Sequence, residues 1–273
     1  MTNNINKRRL KMKIYQVDAF TDVEFKGNPA AICILEKNYE DSVLQNIAME
    51  MNLSETAFIK QTSDNEFNLR WFTPETEVAL CGHATLASAH LLWENKAVEE
   101  NEIIKFNTLS GTLMAKKSGE WIELNFPKGT LKKSKGDSFL LNAFSILPNA
   151  IYEDDIAYLL EFNDEEQISI LKPDLNMLKK ARKEEIIVTS KSNNANYDFV
   201  SRFFGPAIGV NEDPVTGSAH CYLAPYWIER LNKEEIIGFQ ASRRTGVIKC
   251  RLHENRVILQ GKAKTILDGT LHI

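Results

Sequence analysis

Apolar and polar positions alternate along the first part of this chain in two rhythms. Ile14 to Phe20 and Ala30 to Leu35 read as strands, parted by the turn-forming Lys26-Gly27-Asn28-Pro29. From Asp41, a suitable capping residue, the apolar positions Val43, Leu44, Ile47, Ala48 and Met51 recur at helical spacing. Thr56–Ile59 and Asn68–Phe72 return to strand, and Thr73-Pro74-Glu75 breaks the chain. Gly82 then opens a helix from His83 to Asn95 whose Ala84, Leu86, Ala87, Ala89, Leu91, Leu92 and Trp93 leave almost no polar face. A helix so poor in charge belongs in an interior with strands wrapped around it.

The later part repeats the plan. A helix is expected around Ser138 to Ile146, strands near Ala157–Phe162 and Glu185–Thr189, and a short helix over Asp174–Arg182. Ser201-Arg-Phe-Phe-Gly-Pro206 precedes a second apolar helix, beginning near Gly217 and carrying Tyr222, Leu223, Tyr226, Trp227 and Ile228, which Pro225 should kink. The turns before the two buried helices match. Glu77-Val-Ala-Leu-Cys81-Gly82-His83-Ala84 and Glu212-Asp-Pro-Val-Thr216-Gly217-Ser218-Ala219 lie 135 positions apart. The same offset lays Ser110-Gly111 on Thr245-Gly246 and brings Trp121–Leu124 near Val257–Gln260. We therefore expect two similar α+β domains, 12–127 and 128–273, meeting near Pro127-Lys128-Gly129, behind a flexible tail of residues 1–11.

Composition narrows the class. Apolar residues make up 43% and charged residues 26%, and 33 Lys+Arg against 37 Asp+Glu leave a formal charge of −4. That balance offers no concentrated positive surface for nucleic acid. No apolar run approaches the roughly 20 residues that span a bilayer. Four cysteines in 273 residues make no disulfide framework and suit a cytoplasmic protein. The opening MTNNINKRRLK lacks the apolar stretch of a secretory signal, and Met12 offers an alternative start. Neither a Walker nor a Rossmann glycine pattern follows a strand.

The repeated turn has chemical meaning. The first amides of a helix have no internal partners, and the helix dipole makes that end electropositive. Two such ends facing one another across a cleft would hold a small carboxylate; the plainer reading is that Glu77 and Glu212 cap their own turns. Cys81, His83, His220 and Cys221 lack the spacing of a metal site. The runs Glu153-Asp154-Asp155 and Asp164-Glu165-Glu166 read as solvated faces.

Several spaced segments together carry a family resemblance. Asp18-Ala-Phe-Thr-Asp22, Gly27-Asn28-Pro29-Ala30-Ala31, Asn52-Leu-Ser54-Glu55-Thr-Ala-Phe58 and Leu80-Cys-Gly-His83-Ala-Thr-Leu-Ala87 occur in order. Ser201–Pro206 and Glu212-Asp213-Pro-Val-Thr-Gly217-Ser218-Ala-His220-Cys follow. From Met12 onward the chain resembles the PhzF-like isomerases of phenazine biosynthesis, relatives of diaminopimelate epimerase. The resemblance implies an α+β fold of two pseudo-symmetric domains, each a curved mixed sheet wrapped around a central helix. It allows the last strand to cross back to the first domain. It also implies a cleft site for a small carboxylate-bearing substrate, no metal, no organic cofactor, no nucleic-acid or membrane partner, and a possible homodimer. Glu55 matches the glutamate that moves a proton between substrate carbons, and His83 and Asp213 match the other polar residues of that site. Ser54, Gly82, Gly217 and Ser218 would supply small binding contacts. As a general acid and base, Glu55 would work best partly desolvated.

Two departures bear on mechanism. Epimerases of the wider superfamily use a cysteine thiol on each face of the substrate carbon; here Cys81 holds the first position and Thr216 the second. A threonine hydroxyl is far too weak an acid for that exchange, so two-thiol epimerisation is not expected. Ser242-Arg243-Arg244-Thr245-Gly246 stands where relatives carry paired glycines. The readings in competition with a proton-shifting isomerase are a one-base racemase or epimerase and a non-catalytic binding relative.

Overall fold

The computed structural model describes residues 11–273. The tail expected at 1–11 lies outside the described residues except for Lys11, which already pairs with His272 as the first residue of a strand. The first half runs β1 (Lys11–Ala19), β2 (Asn28–Ile34), α1 (Asp41–Met51), β3 (Glu55–Ser63), β4 (Glu66–Phe72), β5 (Glu77–Val78), α2 (Gly82–Glu94), β6 (Ile104–Thr108), β7 (Gly111–Ser118) and β8 (Trp121–Pro127). The second opens with β9 (Lys132–Ser134), α3 (Ser138–Asn142), β10 (Ala150–Glu153), β11 (Ala157–Glu161), α4 (Glu165–Ile170), α5 (Leu175–Leu178) and β12 (Glu185–Lys191). It continues with β13 (Phe199–Gly205), β14 (Val210–Asp213), α6 (Gly217–Leu231), β15 (Glu235–Gln240), β16 (Gly246–His253), β17 (Arg256–Gly261) and β18 (Ala263–His272).

Both halves pair their strands in one order of senses. In the first, β1/β2 is antiparallel, β2/β3 parallel, β3/β4 antiparallel, β4/β6 parallel, and β6/β7/β8 antiparallel. The second repeats this as β10/β11, β11/β12, β12/β13, β13/β15 and β15/β16/β17. Strand β8 pairs with β17, and β18 pairs with β1, so the final strand adds to the first half's sheet. The architecture is α+β with mixed sheets.

The two apolar helices fill the interior. In α2 every residue from His83 to Ala89 is buried, and the small Ala84, Ala87 and Ala89 let the surrounding strands approach closely. Its buried Thr85 and Ser88 hydroxyls donate to the carbonyls of Cys81 and Ala84 one turn back, so neither is left unpaired. Helix α6 continues through Pro225. Proline has no amide to offer the Cys221 carbonyl, and the Gly129 N–H takes its place at 3.1 Å. Gly129 must be glycine, because a Cβ there would lie 2.3 Å from the Tyr222 ring.

The repeated glutamates have a structural task. Arg70 on β4 grips Glu77 through two hydrogen bonds of 2.7 Å, and Arg202 on β13 grips Glu212 through bonds of 2.7 and 3.0 Å. Each guanidinium also lies over a phenylalanine of its own strand, Phe72 or Phe204. The glutamates therefore tie the strand after the turn to the strand before it, an arrangement neither of the two readings offered above anticipated.

Several local expectations need correcting. Asp41 does not cap α1: it is the first helical residue, and its carboxylate accepts from Arg70 at 2.7 Å. The helices expected over 138–146 and 174–182 stop at Asn142 and Leu178. Asp164-Glu165-Glu166 is a solvated face only at Glu166, since Asp164 caps α4 and Glu165 accepts from Ser192 and Asn193. Asp154 likewise accepts from the amides of Ile156 and Ala157 and from the Tyr222 hydroxyl. The Ser242–Gly246 segment joins the halves: Arg244 donates to the carbonyls of Gly27 and Lys26, both at 2.9 Å, and stands 2.8 Å from Asp18.

Candidate active site

Helices α2 and α6 begin against each other. A Cβ added at Gly82 would meet the Gly217 Cα at 3.7 Å, and the reverse addition gives the same distance. Neither helix has a side-chain cap at its start, since Cys81 and Thr216 make no capping bond. The two positive ends and their free amides therefore converge on one place. A cavity of about 710 Å³ opens there between the halves. All seven residues selected from the sequence line it: Ser54, Glu55, Gly82, His83, Asp213, Gly217 and Ser218.

Glu55 is the first residue of β3 and pairs with Ala30 in the parallel β2/β3 ladder. Its side chain is only 19% exposed. Burial, reinforced by the negative charge of Asp213 and opposed by a hydrogen bond from Cys81, pushes its carboxyl up to about 8. His83 is the second residue of α2, and burial holds its ring neutral down to about 3. The 3.3 Å approach of His83 Nε2 to Glu55 Oε2 is thus a neutral contact rather than an ion pair, and it lacks hydrogen-bond alignment.

Asp213 ends β14 on the opposite wall. Burial raises its carboxyl to about 6, although Thr216 and Asn28 donate to it. Thr216 Oγ1 gives its proton to Asp213 Oδ2 and accepts from Gln240 Nε2 at 3.0 Å. That hydroxyl is fully engaged, which leaves the position opposite Cys81 without a free acid. The Cys81 thiol, pushed well above its ordinary range by burial and by Glu55, keeps its proton. It stands 3.5 Å from His83 Nδ1.

Ligand atoms of Glu55, Cys81 and His83 lie within 4.8 Å of one another. A cation held there would have to displace the protons of the thiol and the carboxyl. Spacing alone, applied to Cys81, His83, His220 and Cys221, did not find this set because Glu55 comes from a different strand. His220 instead turns its Nδ1 to the Thr216 carbonyl at 2.7 Å.

Sequence reasoning also missed Glu185. It opens β12 opposite Ala157 as Glu55 opens β3 opposite Ala30, lines the same cavity, and is raised to about 7 by burial and by Asp154. Asp154 and Asp155 share that wall, Asp154 half-buried and Asp155 exposed as expected. Glu55 and Glu185 are 130 positions apart in sequence. A search at the fixed offset of 135 lands on Ser190 instead.

These carboxyls shape stability against pH. The unfolded chain ionises Glu55 near 4.5, whereas the fold keeps the proton to about 8. The fold therefore holds a proton the unfolded chain has lost, and stability falls as pH rises through that window. Glu185 and Asp213 act in the same sense up to about 7 and about 6. His83 and His220, kept neutral to about 3 and about 4, favour unfolding only below their ordinary 6.5. Between pH 6.5 and 8 the carboxyls dominate, and Glu55 alone should remove about 2 kcal/mol. Urea unfolding at the two pH values measures this, and Glu55→Gln should show a much flatter profile. Equal slopes in the two proteins would mean that Glu55 is already ionised in the fold at pH 6.5.

Among the described residues no helix is long and apolar enough to cross a membrane. A family profile described as phenazine biosynthesis-like protein (PhzC-PhzF) matches residues 17–269. An uncharacterized isomerase from Halalkalibacterium halodurans is 51% identical over 259 residues, covering 94% of this chain and 97% of that protein. A PhzF-family phenazine biosynthesis protein from Enterococcus faecalis has a solved structure that matches with a TM-score of 0.92. It is 40% identical and is covered over 100% of its length by 97% of this chain. A predicted epimerase from Pseudomonas aeruginosa, at 18% identity, shares the fold with a TM-score of 0.73 over 95% of this chain and 99% of its own.

Proposed function

Since the chain belongs to the phenazine biosynthesis-like (PhzC-PhzF) family and is an isomerase, we propose that it shifts a proton between carbons of a small carboxylate-bearing metabolite, with Glu55 as the carrier. The observation that carries this reading is one carboxyl, raised to about 8, at the meeting point of two uncapped helix starts. A substrate carboxylate would be held by the free amides at Gly82, Gly217 and Ser218, with Ser54 at the rim. Ionised Glu55 would take a proton from a carbon next to an unsaturated bond. The C–H electron pair would spread into the conjugated system, with neutral His83 stabilising the displaced charge and the Asp213 carboxylate orienting the substrate. Glu55, now a carboxylic acid, would return the proton to the far carbon, and the double bond would move between them.

The same reading divides the chain into lobes 12–127 and 128–273 with the cleft between them. A one-thiol or two-thiol route has less support, because Cys81 keeps its proton and Thr216 is engaged by Asp213 and Gln240. Incubating unsaturated and cyclic carboxylates with the wild-type enzyme in heavy water tests the proposal. Deuterium should enter at carbon in at least one of them. Inversion of a stereocentre with no movement of a double bond would replace it by one-base epimerisation.

A further inference from the structure

Asn28 opens β2 and is wholly buried. Its side chain joins residues that are far apart in sequence. Asn28 Nδ2 donates at 2.9 Å to Asp213 Oδ1 and at 2.9 Å to the Val215 carbonyl, and stands 3.3 Å from His83 Nδ1. A carboxylate and a carbonyl only accept, so the amide cannot be turned over without setting two oxygens against its own. Its N–H edge must face the His83 ring.

We propose that Asn28 is a positioning residue that holds His83 in the Nε2–H tautomer and locks the Asp213 carboxylate in place across the lobe boundary. A neutral imidazole carries one proton; an Nδ1–H would point at the two amide hydrogens that Asp213 and Val215 already hold, whereas a bare Nδ1 can share one of them at 3.3 Å. Nδ1 is therefore bare, and the proton sits on Nε2, 3.3 Å from Glu55 Oε2. The opposite tautomer would set Nδ1–H against the amide hydrogens and turn a lone pair toward the carboxyl that must carry negative charge. The effect on turnover rests on the isomerase reading; the tautomer assignment stands without it.

Two observations point to a function beyond filling space. Asn28 Oδ1 has no partner, a buried penalty that an apolar residue of similar shape would avoid. The peptide before Asn28 is also gripped from the second half: Gly27 N donates to the Thr245 carbonyl at 2.8 Å, and Arg244 donates to the Gly27 carbonyl at 2.9 Å. Gly27 sits at φ +69°, and a Cβ there would lie 2.2 Å from the Ala19 carbonyl oxygen, so only glycine permits the turn that delivers the amide. The titratable groups around this trio are Glu55 and Cys81 from the first half and Glu185 and Glu212 from the second.

Nitrogen-15 spectra of histidine-labelled protein read the tautomer directly. At pH 7 wild-type His83 should be entirely Nε2–H. In Asn28→Ala that exclusivity should be lost, and carbon-13 titration should move Asp213 above its value of about 6. Asn28→Asp places an acceptor where the donor was and should swing His83 toward Nδ1–H. Exchange at substrate carbon should fall about tenfold in both variants, less than the roughly 10²–10⁴-fold of a direct acid-base group, because Asn28 acts through His83. A wild-type Nδ1–H ring, or a tautomer unchanged in both variants, overturns the proposal. If neither variant folds, the wild-type spectrum alone decides between the two tautomers. Tautomer changes as described in an enzyme that exchanges no substrate would support the Asn28 assignment and count against the isomerase reading.

Discussion

Glu55→Gln should lose proton exchange at substrate carbon by about 10²–10⁴-fold, the range one well-placed acid-base group supplies. The amide matches the carboxyl in shape and can still meet Cys81 and His83, but it cannot take a proton from carbon. Binding should change little, because the proposed contacts to the substrate carboxylate come from Gly82, Gly217 and Ser218 rather than from residue 55. The loss should thus appear in kcat with KM nearly constant. The wild-type enzyme should also gain activity as pH rises toward about 8, where the carboxyl passes from acid to base. Below that value most of the free enzyme holds the proton and must release it before it can act as a base. Exchange by Glu55→Gln within a few-fold of wild type would remove Glu55 from the proton path. Measuring stability alongside activity separates lost chemistry from lost folding, since this variant should be at least as stable as wild type near pH 8.

Arg244→Ala should destabilise the protein by about 3 kcal/mol at neutral pH. Asp18, 1% exposed, faces Arg244 at 2.8 Å, though off the hydrogen-bonding line. Removing one partner of a buried pair leaves the other charge without compensation, which typically costs about 3–5 kcal/mol. The lower end is expected here because the Arg244 side chain is 30% exposed. Burial already raises the Asp18 carboxyl against the pull of Arg244, so without the guanidinium it rises further. The penalty should therefore shrink as pH falls and Asp18 takes a proton. Asp18→Asn in the Arg244→Ala background should recover part of the loss at pH 7 and little in acid. Arg244→Lys should restore less than half: an ammonium can meet the carboxylate, but it lacks the planar fork that also reaches the Lys26 and Gly27 carbonyls. Urea unfolding of the four proteins gives these values. A pH-independent deficit would assign the effect to packing of the arginine stem instead.

Much of the candidate site was legible because its markers are local. Gly82 and Gly217 sit at the same point in two matching turns, and the polar residues beside them stand in motifs that survive without knowledge of the fold. The apolar face of α2 could be read in the same way, since a helix with no polar side has nowhere to go but the interior. The repeat was legible only where loop lengths agree. Glu77/Glu212 keep the offset of 135, whereas Arg70/Arg202 are 132 apart and Glu55/Glu185 130, so the partner of the proposed carrier escaped notice. The acidic runs were misread at Asp154, Asp164 and Glu165, because a carboxylate that caps α4 or lines a cavity has the same local sequence as one in water.

Periodicity and turn chemistry in the chain itself determined the α+β class and the two buried helices, because each depends on neighbours within a few positions. The spaced motifs named the residues drawn into the cavity through their family resemblance. Only the tertiary structure decided the ionisation and pairing of those residues. The carboxyl of Glu55 owes its elevation to burial and to Asp213, 158 positions away in the chain. Asn28 meets Asp213 across the boundary between halves, and Arg244 reaches back to Asp18. Desolvation and through-space charge have no sequence period, so their effects emerge only when the two halves close on each other.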